Sequence, residues 1–142
     1  MSAINQGIYE RMANDTTLTN LISTYRGAPA IFFLRPIPTD AEFPVIVADE
    51  DISVTPFPTK TKQGRIITRS IRVFTDAQSG TRTDNDDIVE RVRFLFHRQA
   101  DQIQISGYKV IIADASNGPE FTPTDERTIG QELEITLTIQ QL

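Results

Sequence analysis

The stretch from Asp84 to Arg98 limits the fold of this chain more than any other. Ile88, Val89, Val92, Leu95 and Phe96 recur at i, i+1, i+4, i+7 and i+8, the apolar stripe of a helix with one dry face. Thr83 or Asp84 is placed to cap its start. Its first turn carries Asp84, Asp86, Asp87 and Glu90 and its later turns Arg91, Arg93 and Arg98, the polarity a helix dipole favours. A helix of this kind must cover an apolar surface, and alternating stretches supply one on either side of it. From Arg65 to Phe74, Ile67, Arg69, Ile71 and Val73 share one side, while Ile66, Thr68, Ser70, Arg72 and Phe74 share the other. From Gln131 to Gln140, Leu133, Ile135, Leu137 and Ile139 alternate with Glu132, Glu134, Thr136 and Thr138. Helix on sheet is the architecture these periods demand.

The remaining elements read more weakly. Ile4, Ile8 and Met12 lie at helical spacing after Ser2, and Asp15 is placed to cap a second short turn carrying Leu18, Leu21 and Ile22. Gly27, Pro29, Pro36, Pro38 and Pro44 then break the chain into loop, apart from a short extended piece at Ile31 to Leu34. Val45 to Val54 reads as a strand, and Tyr108 to Ala113 as another, closed by a turn at Asn117-Gly118-Pro119. The order α, β, β, α, β, β predicts an α+β fold: a mainly antiparallel sheet of about four strands packed against an N-terminal helix and one long amphipathic helix. Of 142 residues, 39% are hydrophobic, so roughly 55 apolar side chains serve one core, and residues 1–142 are expected to form one domain.

Composition removes most chemistry. With 0 cysteines and 1 histidine, disulfide frameworks, thiol nucleophiles, zinc fingers and His-based metal centres are excluded. Lys and Arg number 14 against 19 Asp and Glu, a net charge of -5, which disfavours nucleic-acid binding through a basic face. No window approaches the ~18 consecutive apolar residues of a membrane span, and no basic and apolar leader opens the chain, so a cytoplasmic site of synthesis and no membrane partner are expected. The G-x-S-x-G, G-x-x-x-x-G-K-[ST] and H-E-x-x-H patterns are absent from the sequence. Asp84-Asn85-Asp86-Asp87 imitates the start of an EF-hand loop but lacks the glycine at its sixth position. His97 stands at the helix C-terminus without a serine or cysteine motif to serve. No enzyme activity, metal or cofactor is expected.

Two groups of charges call for an explanation. Lys60, Lys62 and Arg65 fall on or beside one loop between two strands, and Arg69 and Arg72 continue the basic character into the second of them. They read either as an ordinary solvated hairpin or as an arm that touches an acidic neighbour, be it another subunit or DNA phosphate. Asp49, Glu50 and Asp51 are consecutive on the preceding strand. They read as a solvated or interfacial acidic face, or as a metal or acid/base pair at Asp49 and Asp51.

The arrangement resembles the tail terminator, or tail completion, proteins of long-tailed bacteriophages and related tailed particles. The segments that carry the resemblance are Asp15 to Ile22, Ala30 to Phe33, Phe43 to Val47, Ile71 to Asp76, Ile88 to Phe96, Gly107 to Val110 and Leu133 to Leu137. They span nearly the whole chain. The resemblance implies a structural virion protein, assembled in the bacterial host cytoplasm, that forms a hexameric ring on the tail tube. The ring ends tube polymerisation and offers a surface for head-tail joining while double-stranded DNA passes through it. The implied partners are further copies of the chain, the tail tube protein and the head-tail connector protein. In such a ring, Lys60, Lys62, Arg65, Arg69 and Arg72 are candidates for contact with the tube or a neighbouring subunit. Asp49, Glu50 and Asp51 are candidates for the pore, where a negative wall repels phosphate and lets the duplex slide. A head-tail connector or neck protein is the alternative of the same kind; a small metal-dependent hydrolase and a monomeric binding module are those of other kinds.

Overall fold

The computed structural model describes residues 3–33, 40–56, 63–76, 82–121 and 128–142. Helix α1 (Ala3–Ala13) is followed by a single turn of helix, α2 (Thr16–Thr19). A two-stranded ribbon, β1 (Thr24–Tyr25) and β2 (Ala28–Pro29), leads into β3 (Ile31–Phe32). The long strands β4 (Val45–Pro56) and β5 (Gly64–Asp76) pair antiparallel. Helix α3 (Arg82–Phe96) and a 3-10 turn at Ala100–Gln102 lead to β6 (Tyr108–Phe121) and β7 (Thr128–Gln141), again antiparallel. The main sheet has the order β3-β4-β5-β7-β6.

Its topology follows from the pairing. β7 runs antiparallel to both β5 and β6 and lies between them, so β5 and β6 point the same way and α3 makes the crossover that parallel strands require. α3 therefore lies across the strands it joins. Ile88, Val89, Val92, Leu95 and Phe96 are all buried against Ile67, Ile71 and Val73 of β5 and Leu133, Ile135, Leu137 and Ile139 of β7. The two periods read from the sequence thus meet in one core. Each of these large aliphatic side chains contributes about 1.5–3 kcal/mol by leaving water. Ile8 and Met12 of α1 join the same cluster. Gly7 lets α1 come this close: a Cβ there would lie 2.6 Å from the Gln104 carbonyl oxygen and 2.8 Å from Ile105 Cγ1.

Three expectations are corrected. The sheet has five strands, because Ile31–Phe32 adds a short parallel strand beside Ile46 and Val47; two residues carry too little periodicity to announce it. Asn117-Gly118-Pro119 is not a turn: β6 runs through it, and a register irregularity between Asn117 and Glu120 absorbs it. β6 is an edge strand, where a missing proline N–H leaves no ladder bond unmade. α3 stops at Phe96 rather than Arg98, since Arg98 adopts the left-handed conformation (φ 57) that ends helices.

Candidate interaction surfaces

Among the described residues, all helical cover lies on one side of the sheet. The other side carries the even-numbered residues of β5 and β7, and the register sets their rows. Ser70 stands across from Glu134 and Arg72 from Glu132, while Thr68, Thr136 and Asp114 form one rung across three strands. The Ser70 hydroxyl donates to Glu132 Oε1 at 2.8 Å, and Thr68 and Thr136 share a hydrogen bond at 3.3 Å. This face mixes hydroxyls and carboxylates with Ile66, Arg72 and Phe74, and Ile112 (52% exposed) lies at its rim. Asp114 is exposed.

The edges of the sheet discourage strand addition. On β6, the Ala113 carbonyl accepts from the Arg98 N–H at 2.8 Å, and the Ala115 N–H donates to His97 Nδ1 at 3.1 Å. The end of α3 thus occupies backbone groups that an incoming strand would need, and His97 serves there as an acceptor through Nδ1. At the opposite edge of the sheet β3 covers only Ile46 and Val47 of β4, and beyond it β4 is the edge, with register irregularities between Val47 and Glu50 and between Asp51 and Ser53 and a terminal Pro56. Bulges and proline are the devices by which edge strands avoid pairing.

The basic residues singled out in the sequence do not form one group. Lys60 and Lys62 lie outside the described residues. Arg65 is half-buried at the end of β5, where its Nη2 donates to Tyr108 Oη at 2.8 Å and its guanidinium carbon sits 5.5 Å from the Tyr108 ring centre. Arg69 is only 6% exposed. It sits on the helix-facing side of β5, where Nη1 donates to Asn5 Oδ1 of α1 and approaches the Ala48 carbonyl at 3.5 Å. Arg69 is thus engaged within the chain, between α1 and the Ala48 carbonyl. Arg72 is half-buried on the opposite side of the same strand, across from Glu132. Backbone pairing places Glu50 across from Ser70 and Asp51 across from Arg69. The irregularities on either side interrupt the simple alternation expected from Asp49 to Asp51. Among the described residues, no three His, Cys, Asp or Glu residues come together as a metal site. Asn85 of the EF-hand-like segment is buried, its amide donating to the Val73 carbonyl at 3.2 Å.

The helical layer has its own polar joint. Asp15 caps α2, accepting from the Leu18 N–H at 2.9 Å, and also takes a bidentate pair from Arg91 of α3 at 2.7 and 2.8 Å. That guanidinium also lies 4.7 Å from the ring centre of Phe94, which is 57% exposed. The hydrogen bonds from Arg91 hold the Asp15 carboxyl below its usual range, reinforced by Leu18 and opposed by burial. A lowered folded-state pKa contributes stability that is fully present above the unfolded value, near pH 4, and is lost as pH falls through the folded value. Asp15→Asn keeps a capping side chain but removes the charge. It should cost about 1–2 kcal/mol at pH 7 in urea unfolding, and its deficit relative to the parent should shrink towards pH 2. A deficit independent of pH would contradict the assignment.

Two features were not singled out in the sequence: Tyr108 as the partner of Arg65, and Asp114 on the uncovered face. The parity of β6 held part of the signal, since Asp114 alternates with the buried Ala113 and Ala115.

The fold is shared with a chain in a solved structure described as "Virion of native gene transfer agent (GTA) particle". The TM-score is 0.75 at 15% sequence identity, and the match covers 94% of this chain and 91% of that one. No family model matches the sequence, and no curated protein matches it.

Proposed function

We propose that the chain is a structural virion protein of a tailed particle, a tail terminator. A ring of copies, hexameric by the sequence resemblance, caps the tail tube, ends its polymerisation and presents the surface for head-tail joining while DNA passes through the lumen. The observation that carries this reading is the fold, which follows a chain of a virion particle over nearly the full length of both. Two further features support it. Edges that resist strand addition keep copies from polymerising through their sheets, a requirement for a protein that stops growth. The net charge of -5 suits a conduit through which phosphates should slide. The role is architectural, and its partners are the tube protein, the connector and further copies of the chain.

The basic loop is the contact to test. With Lys60 and Lys62 both changed to Glu, head-tail joining should fall about tenfold through the loss of electrostatic attraction, while the urea unfolding midpoint stays that of the parent. Parental joining by the folded double variant would remove the loop from the mechanism.

A further inference from the structure

The Arg65 guanidinium is held in place but not neutralised. Among the described residues its partners are the hydroxyl and ring of Tyr108, and no carboxylate of those residues lies within ion-pair distance of it. Tyr108 fixes the plane of the guanidinium and occupies one of its five N–H donors, leaving an edge that matches a carboxylate. Around it, Gln63, Gly64 and Gln141 complete a cleft of about 190 Å³. Pockets that take a nucleotide-sized ligand begin at about 300 Å³, so the cleft suits the tip of an acidic side chain. The net charge of -5 also disfavours a duplex as the occupant, because duplex binding needs several neutralised phosphates.

Asp114 has the complementary properties. It is exposed on β6, has no hydrogen-bond or ion-pair partner among the described residues, and lies outside any helix whose dipole would account for it. Pairing puts Arg65 across from Ile139, in line with the buried residues of β5, and Asp114 across from Thr136, in line with the uncovered ones. The two groups therefore sit on opposite sides of one sheet, and a single copy can use both at once, each with a different neighbour. A contact between unlike surfaces is the kind that closes rings.

We propose that the cleft formed by Arg65, Tyr108, Gln63 and Gln141 is a carboxylate-binding site whose occupant is Asp114 of a second copy of this chain. The proposal rests on the ring reading above and specifies its subunit contact. Because the chain has 0 cysteines, Arg65→Cys combined with Asp114→Cys provides a clean proximity test in assembled particles. A short bis-maleimide cross-linker, whose spacer makes up the reach lost with the arginine stem, should give a ladder of covalent multimers that ends at the ring, with neither single variant forming one. Charge exchange is the second measurement. Arg65→Asp and Asp114→Arg should each lower ring yield about tenfold, and the two together should restore most of it.

Particles that contain the double-cysteine chain but release only monomers overturn the proposal, as does a charge exchange that rescues nothing. If Arg65→Asp leaves ring yield unchanged and instead lowers retention of duplex DNA by the ring, the ligand is phosphate and the proposal also fails. Failure of the terminator reading looks different: the ladder forms, but the rings are found away from tube ends.

Discussion

Phe96→Ala should destabilise the protein by about 3–5 kcal/mol, and its thermal midpoint should drop by roughly 10 °C. The ring is fully buried in the last turn of α3. It belongs to the cluster in which that helix meets Leu133, Ile135 and Leu137 of β7. Truncation removes the transfer free energy of the ring and leaves a cavity that strands pinned by hydrogen bonds on both sides cannot close. Urea unfolding of parent and variant should differ in midpoint and agree in slope. A loss below about 1 kcal/mol would mean that α3 does not pack on the sheet as described.

Arg69 gives the second large effect, and a pair of variants separates its causes. Arg69→Ala should cost about 2–4 kcal/mol, because it removes a buried stem and takes the guanidinium away from Asn5 and the Ala48 carbonyl. Arg69→Met keeps most of the stem volume and should cost clearly less, since an apolar side chain can replace a buried cation with little loss. Head-tail joining by the folded Met variant should match the parent. If Met is as stable as the parent yet joining is lost, Arg69 contacts a partner after all and the internal role is wrong.

Arg69 also marks where reading the sequence stops. Its placement beside Ile67, Ile71 and Val73 was legible from alternation alone, and the structure keeps all four on one side. What the side chain does there was not legible, because its partner Asn5 lies 64 residues away and no local pattern points to it. The same holds for Arg65 and Tyr108, 43 residues apart. Elements with a full period survive this limit: the stripe of α3 and the alternation of β5 and β7 appear in the core as spaced in the sequence. Short or irregular elements do not. Ile31–Phe32 is a strand only because Ile46 and Val47 lie beside it. Gly118-Pro119 has turn chemistry, but its place on an edge strand turns that into a bulge. For the candidate surface, charge on the chain was visible, whereas the side of the sheet left uncovered depends on where the helices dock.

The account as a whole rests on the chain capping a tube, and electron imaging of the purified protein mixed with tail tubes of the same particle addresses that most directly. The account predicts rings at one end of each tube, with tube growth arrested when the protein is present. Rings or density on filled heads, with bare tubes that keep growing, would contradict it and place the protein on the connector side of the joint.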